Sequence, residues 1–128
     1  MLILPLFLLI RNGQSSVEQG RTKLCDPLLS VTSNQKSTGY EGTYTYTSDM
    51  NGAPVYSQNN GDGFIYRNSL VDNGNDNWHF NKHLGSKYAD LWSAKRDCPS
   101  DVVEWFEWSG AEWVVIPGVT VAAIEGTY

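Results

Sequence analysis

Apolar and polar positions alternate in short stretches along this chain of 128 residues, and apolar residues nowhere keep helical spacing beyond a turn or two. Around Gly42 to Thr47, Tyr40, Tyr44 and Tyr46 share one face and Thr43, Thr45 and Thr47 the other, because successive side chains of a strand point to opposite sides. The aromatic face is expected inward and the hydroxylated face outward. Comparable stretches rich in Tyr, Thr, Val, Phe and Trp follow, separated by Asn, Asp and Gly clusters, which is the pattern of strands and turns. Strands are predicted over 28–32, 42–47, 54–57, 63–67, 78–81, 87–93, 102–108, 112–116 and 119–124. A series of eight to nine short strands at this spacing predicts an all-β fold, a small antiparallel sandwich or barrel.

The turns carry register information. Asn51-Gly52 and Asn60-Gly61 have the composition of type I′ hairpin turns, which need two residues at positive φ. Centring a turn on Asn60-Gly61 pairs Tyr56 with Ile65 and Val55 with Tyr66, aromatic and β-branched pairs worth roughly 0.2–1 kcal/mol each. In the last hairpin, a two-residue turn at Ser109-Gly110 would oppose Glu107 and Glu112, a like-charge pair that costs energy. A three-residue loop, Trp108-Ser109-Gly110 with Gly110 left-handed, avoids this. It sets Trp105 opposite Trp113 and Phe106 opposite Glu112, and leaves Trp108 at the turn tip.

The first ten residues break the alternation, being apolar throughout before a polar run that starts at Arg11. A spanning helix needs about 20 apolar residues, whereas the apolar stretch of a secretory leader needs only about 7–15. Residues 1–15 are therefore expected to be a signal peptide, 16–27 an N-terminal segment, and 28–128 a single β domain secreted from the cell. Arg11 is the only charged residue in 1–15, so its removal takes the formal charge from −5 to −6. An acidic domain without a basic stripe is a poor partner for nucleic acid or anionic membrane. Cys25 and Cys98 are the only cysteines, and a pair in an oxidising compartment reads as one disulfide. In the chain-entropy model such a loop contributes on the order of 4 kcal/mol.

Candidate chemistry is sparse. His79 and His83 would stand about 13 Å apart on a strand, too far for one ion. The run Asp72 to Asn77 is rich in oxygen ligands but lacks the sixth-position glycine and the twelfth-position carboxylate of a calcium-binding EF-hand. No nucleophile elbow or phosphate loop occurs. Glu104, Glu107 and Glu112 cluster in the last hairpin, but Glu104 and Glu107 are expected on opposite faces, whereas a glycosidase needs two acids across a cleft. No catalytic residue, metal site or cofactor is therefore assigned.

Five tryptophans, at 78, 92, 105, 108 and 113, carry the functional signal. Trp78, Trp92, Trp105 and Trp113 are expected in the core, which large rings fill efficiently. Trp108 is the candidate for an exposed ring that stacks on a ligand, with Asn51, Asn60 and Asn73 in neighbouring turns. Trp and Tyr dominate binding hot spots on rigid surfaces.

The order Asn51-Gly52-Ala53-Pro54-Val55-Tyr56, Phe64-Ile65-Tyr66, Trp78-x-Phe80, Cys98-Pro99, then Trp105 and Trp113 resembles a small β-rich unit that recurs in secreted and multidomain proteins of invertebrates. The resemblance covers about residues 31–116 and departs at Trp78-His79-Phe80-Asn81, where Trp-x-Ile-Gly is usual. It implies a fold and an extracellular location, and transfers no activity. The sequence thus predicts a secreted recognition module for an extracellular glycan or protein. A structural or matrix component is the alternative, and a secreted hydrolase a minor one.

Overall fold

The computed structural model describes residues 24–35, 37–50, 52–67, 77–86 and 88–125. The expected leader 1–15 and most of the 16–27 segment lie outside these residues. The described chain is all-β: β1 (Leu28–Ser33), β2 (Gly42–Met50), β3 (Ala53–Gln58), β4 (Phe64–Arg67), β5 (Asn77–Asn81), β6 (Leu91–Lys95), β7 (Trp105–Trp108), β8 (Trp113–Ile116) and β9 (Val119–Ala123). Every predicted strand is present. The predicted strand at 87–93 starts only at Leu91, and that at 102–108 only at Trp105. In the latter case a 3₁₀ turn at Pro99–Asp101, which the sequence reading missed, precedes the strand.

The strands form one antiparallel sheet in the order β8-β7-β6-β5-β4-β3-β2-β1-β9, curled into a nearly closed barrel. The curling follows from connectivity. β8 and β9 are the two sheet edges, yet only Pro117 and Gly118 separate them in sequence. Neighbouring strands are rotated by roughly 20–25°, and eight such steps turn the sheet through about half a revolution, which lets the edges meet. The alternating pairings give β8 and β9 the same sense along the sheet. Parallel partners need a crossover of about a dozen residues, so a two-residue link cannot build a ladder there. Among the described residues none joins β8 to β9, and the seam stays open. Gly118 is fixed in this link: its φ is +85°, and a Cβ there would run into the Asn34 side chain.

The disulfide staples this seam. Cys25 precedes β1, beside β9, and is bonded to Cys98 at the start of the Pro99–Asp101 turn, which packs on β9. The core inside the barrel contains Leu29, Val31, Tyr40, Tyr44, Tyr56, Ile65, Trp78, Phe80, Leu91, Trp105, Ile116, Val119 and Val121. Phe80 is central, with Trp105, Tyr40 and Tyr44 rings at 4.8, 5.2 and 5.9 Å. Buried aromatics with a polar tip need a partner for it, and here they find backbone carbonyls of the connections. Tyr56 donates to Asp26 O, Tyr44 to Tyr40 O and Trp78 Nε1 to Arg96 O, at 2.8, 2.8 and 2.9 Å. Tyr66 donates to Ser86 O at 2.7 Å. Each ring thereby anchors a loop as well as filling space.

Several register expectations change. Tyr56 does pair with Ile65, followed by Ser57 with Phe64, while Val55–Tyr66 is not among the described ladder pairs. Gly61 lacks a positive φ, so the β3–β4 connection is not a type I′ turn. The Gln58 side chain organises this loop instead, accepting from Gly63 N at 3.0 Å and donating to Glu41 O at 2.9 Å. A Cβ at Gly63 would meet both Gln58 and the Tyr40 ring at 2.8 Å. At the other predicted turn Gly52 has φ +80°, between the paired Met50 and Ala53. Tyr46 departs from the inward aromatic face: it is half exposed, against Tyr56, where a bulge follows in β2.

In the last hairpin the three-residue loop is replaced by a four-residue one, Ser109 to Glu112. Trp108 pairs with Trp113, Glu107 with Val114, Phe106 with Val115 and Trp105 with Ile116. This register also separates Glu107 from Glu112, and additionally lets Ser109 close the loop. Ser109 N donates to Glu112 O at 2.8 Å, and Ser109 Oγ accepts from Glu112 N at 3.1 Å. Gly110 has a positive φ, as expected. Trp108 is thus the last residue of β7 rather than a turn tip.

Two outcomes follow. Reducing the Cys25–Cys98 bridge, or replacing both cysteines by Ser, lowers the Tm by about 10 °C or more, given on the order of 4 kcal/mol for the loop and about 4–8 °C per kcal/mol; an unchanged melt contradicts the staple. Burial raises the Tyr66 hydroxyl from 10.0 to about 12, with Asp90 adding to the shift. Tyr40, which donates to the Asp90 carboxylate, and buried Tyr44 are also raised. Their neutral forms favour the fold, so this stability is complete below pH 10 and is lost as the pH rises through about 12 and beyond. Alkaline unfolding monitored at the tyrosinate absorbance should therefore be cooperative with tyrosine ionisation, and tyrosines that all titrate at pH 10 with the fold intact contradict it.

Candidate functional site

The outer face over β3 to β8 is divided in two. Over β3 to β5 it is covered: β5 is buried at every position and β3 from Ala53 to Tyr56, with no alternation. Part of the cover is the β5–β6 connection, which folds back over β4 so that Tyr66 donates to Ser86 O. Asn81 directs this loop, donating to Tyr88 O and accepting from His83 N. Beneath it Tyr66 and His79 pack edge to face at 5.6 Å. His79 is therefore a packed side chain inside the fold, and His83 lies exposed in the loop.

Over β6 to β8 the outer face carries aromatic side chains and no covering loop among the described residues. The cross-strand row Tyr66–His79–Trp92–Phe106–Val115 crosses β4 to β8. It passes from buried at Tyr66 and His79, through half-buried Trp92 and Phe106, to Val115 at 44% exposure. Trp113 and Trp108 extend it along β8 and β7, with Trp108 53% exposed. Successive rings touch: Trp108–Trp113 at 5.5 Å, Trp113–Trp92 at 5.3 Å and Trp92–Phe106 at 6.2 Å, inclined by 53–66°. Edge-to-face and tilted contacts of this kind stabilise one another by about 0.5–1.5 kcal/mol, so the ridge is held as a rigid unit. The Trp92 Nε1 hydrogen is covered and has no partner among the described residues.

Trp92 and Trp113 are thus corrected from core to the outer face, while Trp78 and Trp105 are fully buried as expected. Strand parity is the reason. Leu91 and Trp105 point inward, so their neighbours Trp92 and Phe106 must point outward. Aromatic or apolar residues on both parities, as in Leu91-Trp92 and Trp105-Phe106, are the signal that could have revealed the ridge.

Of the turn residues grouped with Trp108, Asn51 and Asn73 lie outside the described residues, as do Asp72 to Asp76 of the oxygen-rich run. Asn60 is exposed in the β3–β4 loop. That loop leaves from the same end of the barrel as the β7–β8 loop, but β5, β6 and the covering 82–90 connection stand between, so Asn60 does not join the ridge. Asn77 is buried on β5, donating to Ser93 O. No group of three or more potential metal ligands occurs among the described residues.

At the end of β6 and the start of β7 the ridge borders a pocket of about 340 Å³, lined by Ala94, Arg96, Val102, Val103, Glu104 and Phe106. Phe106 belongs to both. The pocket wall is braced: Arg96 O accepts from Trp78 Nε1 and from Arg67 Nη2 at 2.9 and 3.3 Å, and Arg67 lies over the Trp78 ring. Two residues on, Cys98 is fixed by the disulfide. Glu104, just before β7, lines the pocket with Phe106, while Glu107 has the opposite strand parity to Phe106 and lies on the Trp105 side, opposite Leu91. Comparison with protein-family models, curated proteins and solved structures found no match.

The two classes of tryptophan separate by stability. Trp108→Ala leaves unfolding within about 1 kcal/mol of the parent, whereas Trp105→Ala costs about 3–5 kcal/mol by opening a core cavity. Urea titration of both variants checks this, and equal losses contradict the division between ridge and core.

Proposed function

We propose that this protein is a secreted carbohydrate-recognition module that acts by binding rather than by catalysis. The observation that carries this reading is the ridge of Trp108, Trp113, Trp92 and Phe106 on the uncovered outer face of β6–β8. Sugar rings have apolar faces edged by hydroxyls. Flat indoles on a rigid sheet bury such faces, and polar groups at their edge take the hydroxyls. Binding sites commonly pair an aromatic surface with a few convergent polar groups, and the adjoining pocket offers Arg96 and Glu104. Preorganisation supports the reading too, because rings already packed on one another lose little conformational freedom when a ligand lands.

The apolar leader and the Cys25–Cys98 disulfide fit an oxidising, extracellular setting. Glu104 lines the pocket beside Phe106, whereas Glu107 pairs with Leu91 on the neighbouring strand, an arrangement that offers no pair of acids across a cleft of the kind a glycosidase needs.

Binding of the purified domain to immobilised glycans tests this. The expected result is binding to at least one neutral oligosaccharide that is lost in Trp108→Ala while that variant stays folded, within about 1 kcal/mol of the parent. Absence of binding to any glycan, or binding that Trp108→Ala leaves intact, contradicts the reading; self-association without glycan binding would instead favour a structural role.

A further inference from the structure

Resting on the carbohydrate reading above, we infer that the pocket beside Phe106 takes the acetamido group of an N-acetylated amino sugar, so that the ridge selects oligosaccharides built from such units. The pocket lining is unusual in composition. Ala94, Val102, Val103 and the Phe106 ring make apolar walls, and a single cation, Arg96, and a single carboxylate, Glu104, complete it. No salt bridge joins Arg96 to Glu104 among the described residues. An arginine offers only donors and an ionised glutamate only acceptors, so the pocket presents one of each beside a hydrocarbon surface.

An acetamido group has the complementary set. Its carbonyl oxygen accepts from the Arg96 guanidinium, its N–H donates to the Glu104 carboxylate, and its methyl buries against the valines and Phe106. A plain hydroxyl in the same place fills the polar half and leaves the apolar walls in contact with water. A carboxylate-bearing sugar satisfies Arg96 but brings like charge against Glu104, and the chain is acidic overall, with a formal charge of −5. A free amine satisfies Glu104 and is repelled by Arg96. Of these substituents only the neutral amide uses both charged groups and the hydrocarbon wall together.

The geometry around the pocket favours selectivity as well as contact. Arg96 Nη1 donates to Lys95 O at 2.7 Å, and the Arg96 carbonyl is held by Trp78 and Arg67, so both ends of the residue are positioned. On the other wall Val102 N donates to Pro99 O at 3.2 Å, closing the 3₁₀ turn that begins at the disulfide. Since Phe106 is shared, a sugar whose acetamido group enters the pocket has its ring directed along the Phe106–Trp92–Trp113–Trp108 row, where further units of the same chain lie.

The test compares tri-N-acetylchitotriose with cellotriose, which have the same linkage and length and differ at the acetamido positions, by calorimetric titration of the full domain. The expected result is affinity for the acetylated sugar higher by about tenfold or more, as for one or two hydrogen bonds to charged groups. Arg96→Ala and Glu104→Ala, both at exposed positions, remove this preference by bringing the affinity for the acetylated sugar down toward that for cellotriose. Trp108→Ala weakens both sugars. Equal affinity for the two sugars, or a preference that survives in the Arg96→Ala and Glu104→Ala double variant, overturns the assignment of the pocket while leaving the ridge as a sugar surface. Failure of both sugars to bind overturns the assignment of the pocket, while the carbohydrate reading itself falls only if the immobilised glycans above also fail to bind.

Discussion

The two-residue link between the sheet edges is the constraint on which the rest of this structure depends. Once β8 and β9 are held three peptide bonds apart, a nine-stranded antiparallel sheet has to coil until its edges meet, and its right-handed twist supplies the coil. The same link forbids a closing ladder, since the strands it joins run in the same sense. Closure therefore has to come from side chains and a covalent bond: Ile116, Val119 and Val121 in the core, the Pro99–Asp101 turn packed on β9, and Cys25–Cys98 across the seam.

Curling determines what each sheet face sees. The inner face becomes a closed core around Phe80, Trp78 and Trp105. The outer face would be ordinary wet surface, but the β5–β6 connection folds back over β4, and Tyr66 pins it there. Among the described residues, outer positions of β2 and β9 stay exposed, and no connection folds back over the face of β6–β8. The residues there are large and aromatic, though solvated faces of antiparallel sheets usually carry polar side chains. That mismatch between position and residue type is the physical ground for reading a binding surface at the ridge.

Much of the fold was legible in the sequence because it rests on period-two patterning and turn composition. Gly42 to Thr47 shows its alternation openly, and the Tyr56–Ile65 register follows from where the Asn-Gly pair stands. The misreadings arose where side chains override the turn. Gln58 fills the β3–β4 loop with its amide, and Ser109 closes a longer loop than charge avoidance alone demands. Cys25 and Cys98 could be paired because no other cysteine competes. The site was legible only at Trp108. Placing Trp92 and Trp113 outside needed the inward assignment of Leu91 and Trp105, and seeing the pocket needed the braced path from Arg96 to Glu104, which no local pattern announces.

The five indole N–H groups make the central claim directly measurable, because each reports from a different setting. A ¹H–¹⁵N spectrum recorded during titration with an N-acetylated oligosaccharide should move the Trp108, Trp113 and Trp92 signals and leave those of the core residues Trp78 and Trp105 in place. Unmoved ridge signals in the presence of bound sugar would contradict the account, since the ligand would then lie elsewhere on the barrel.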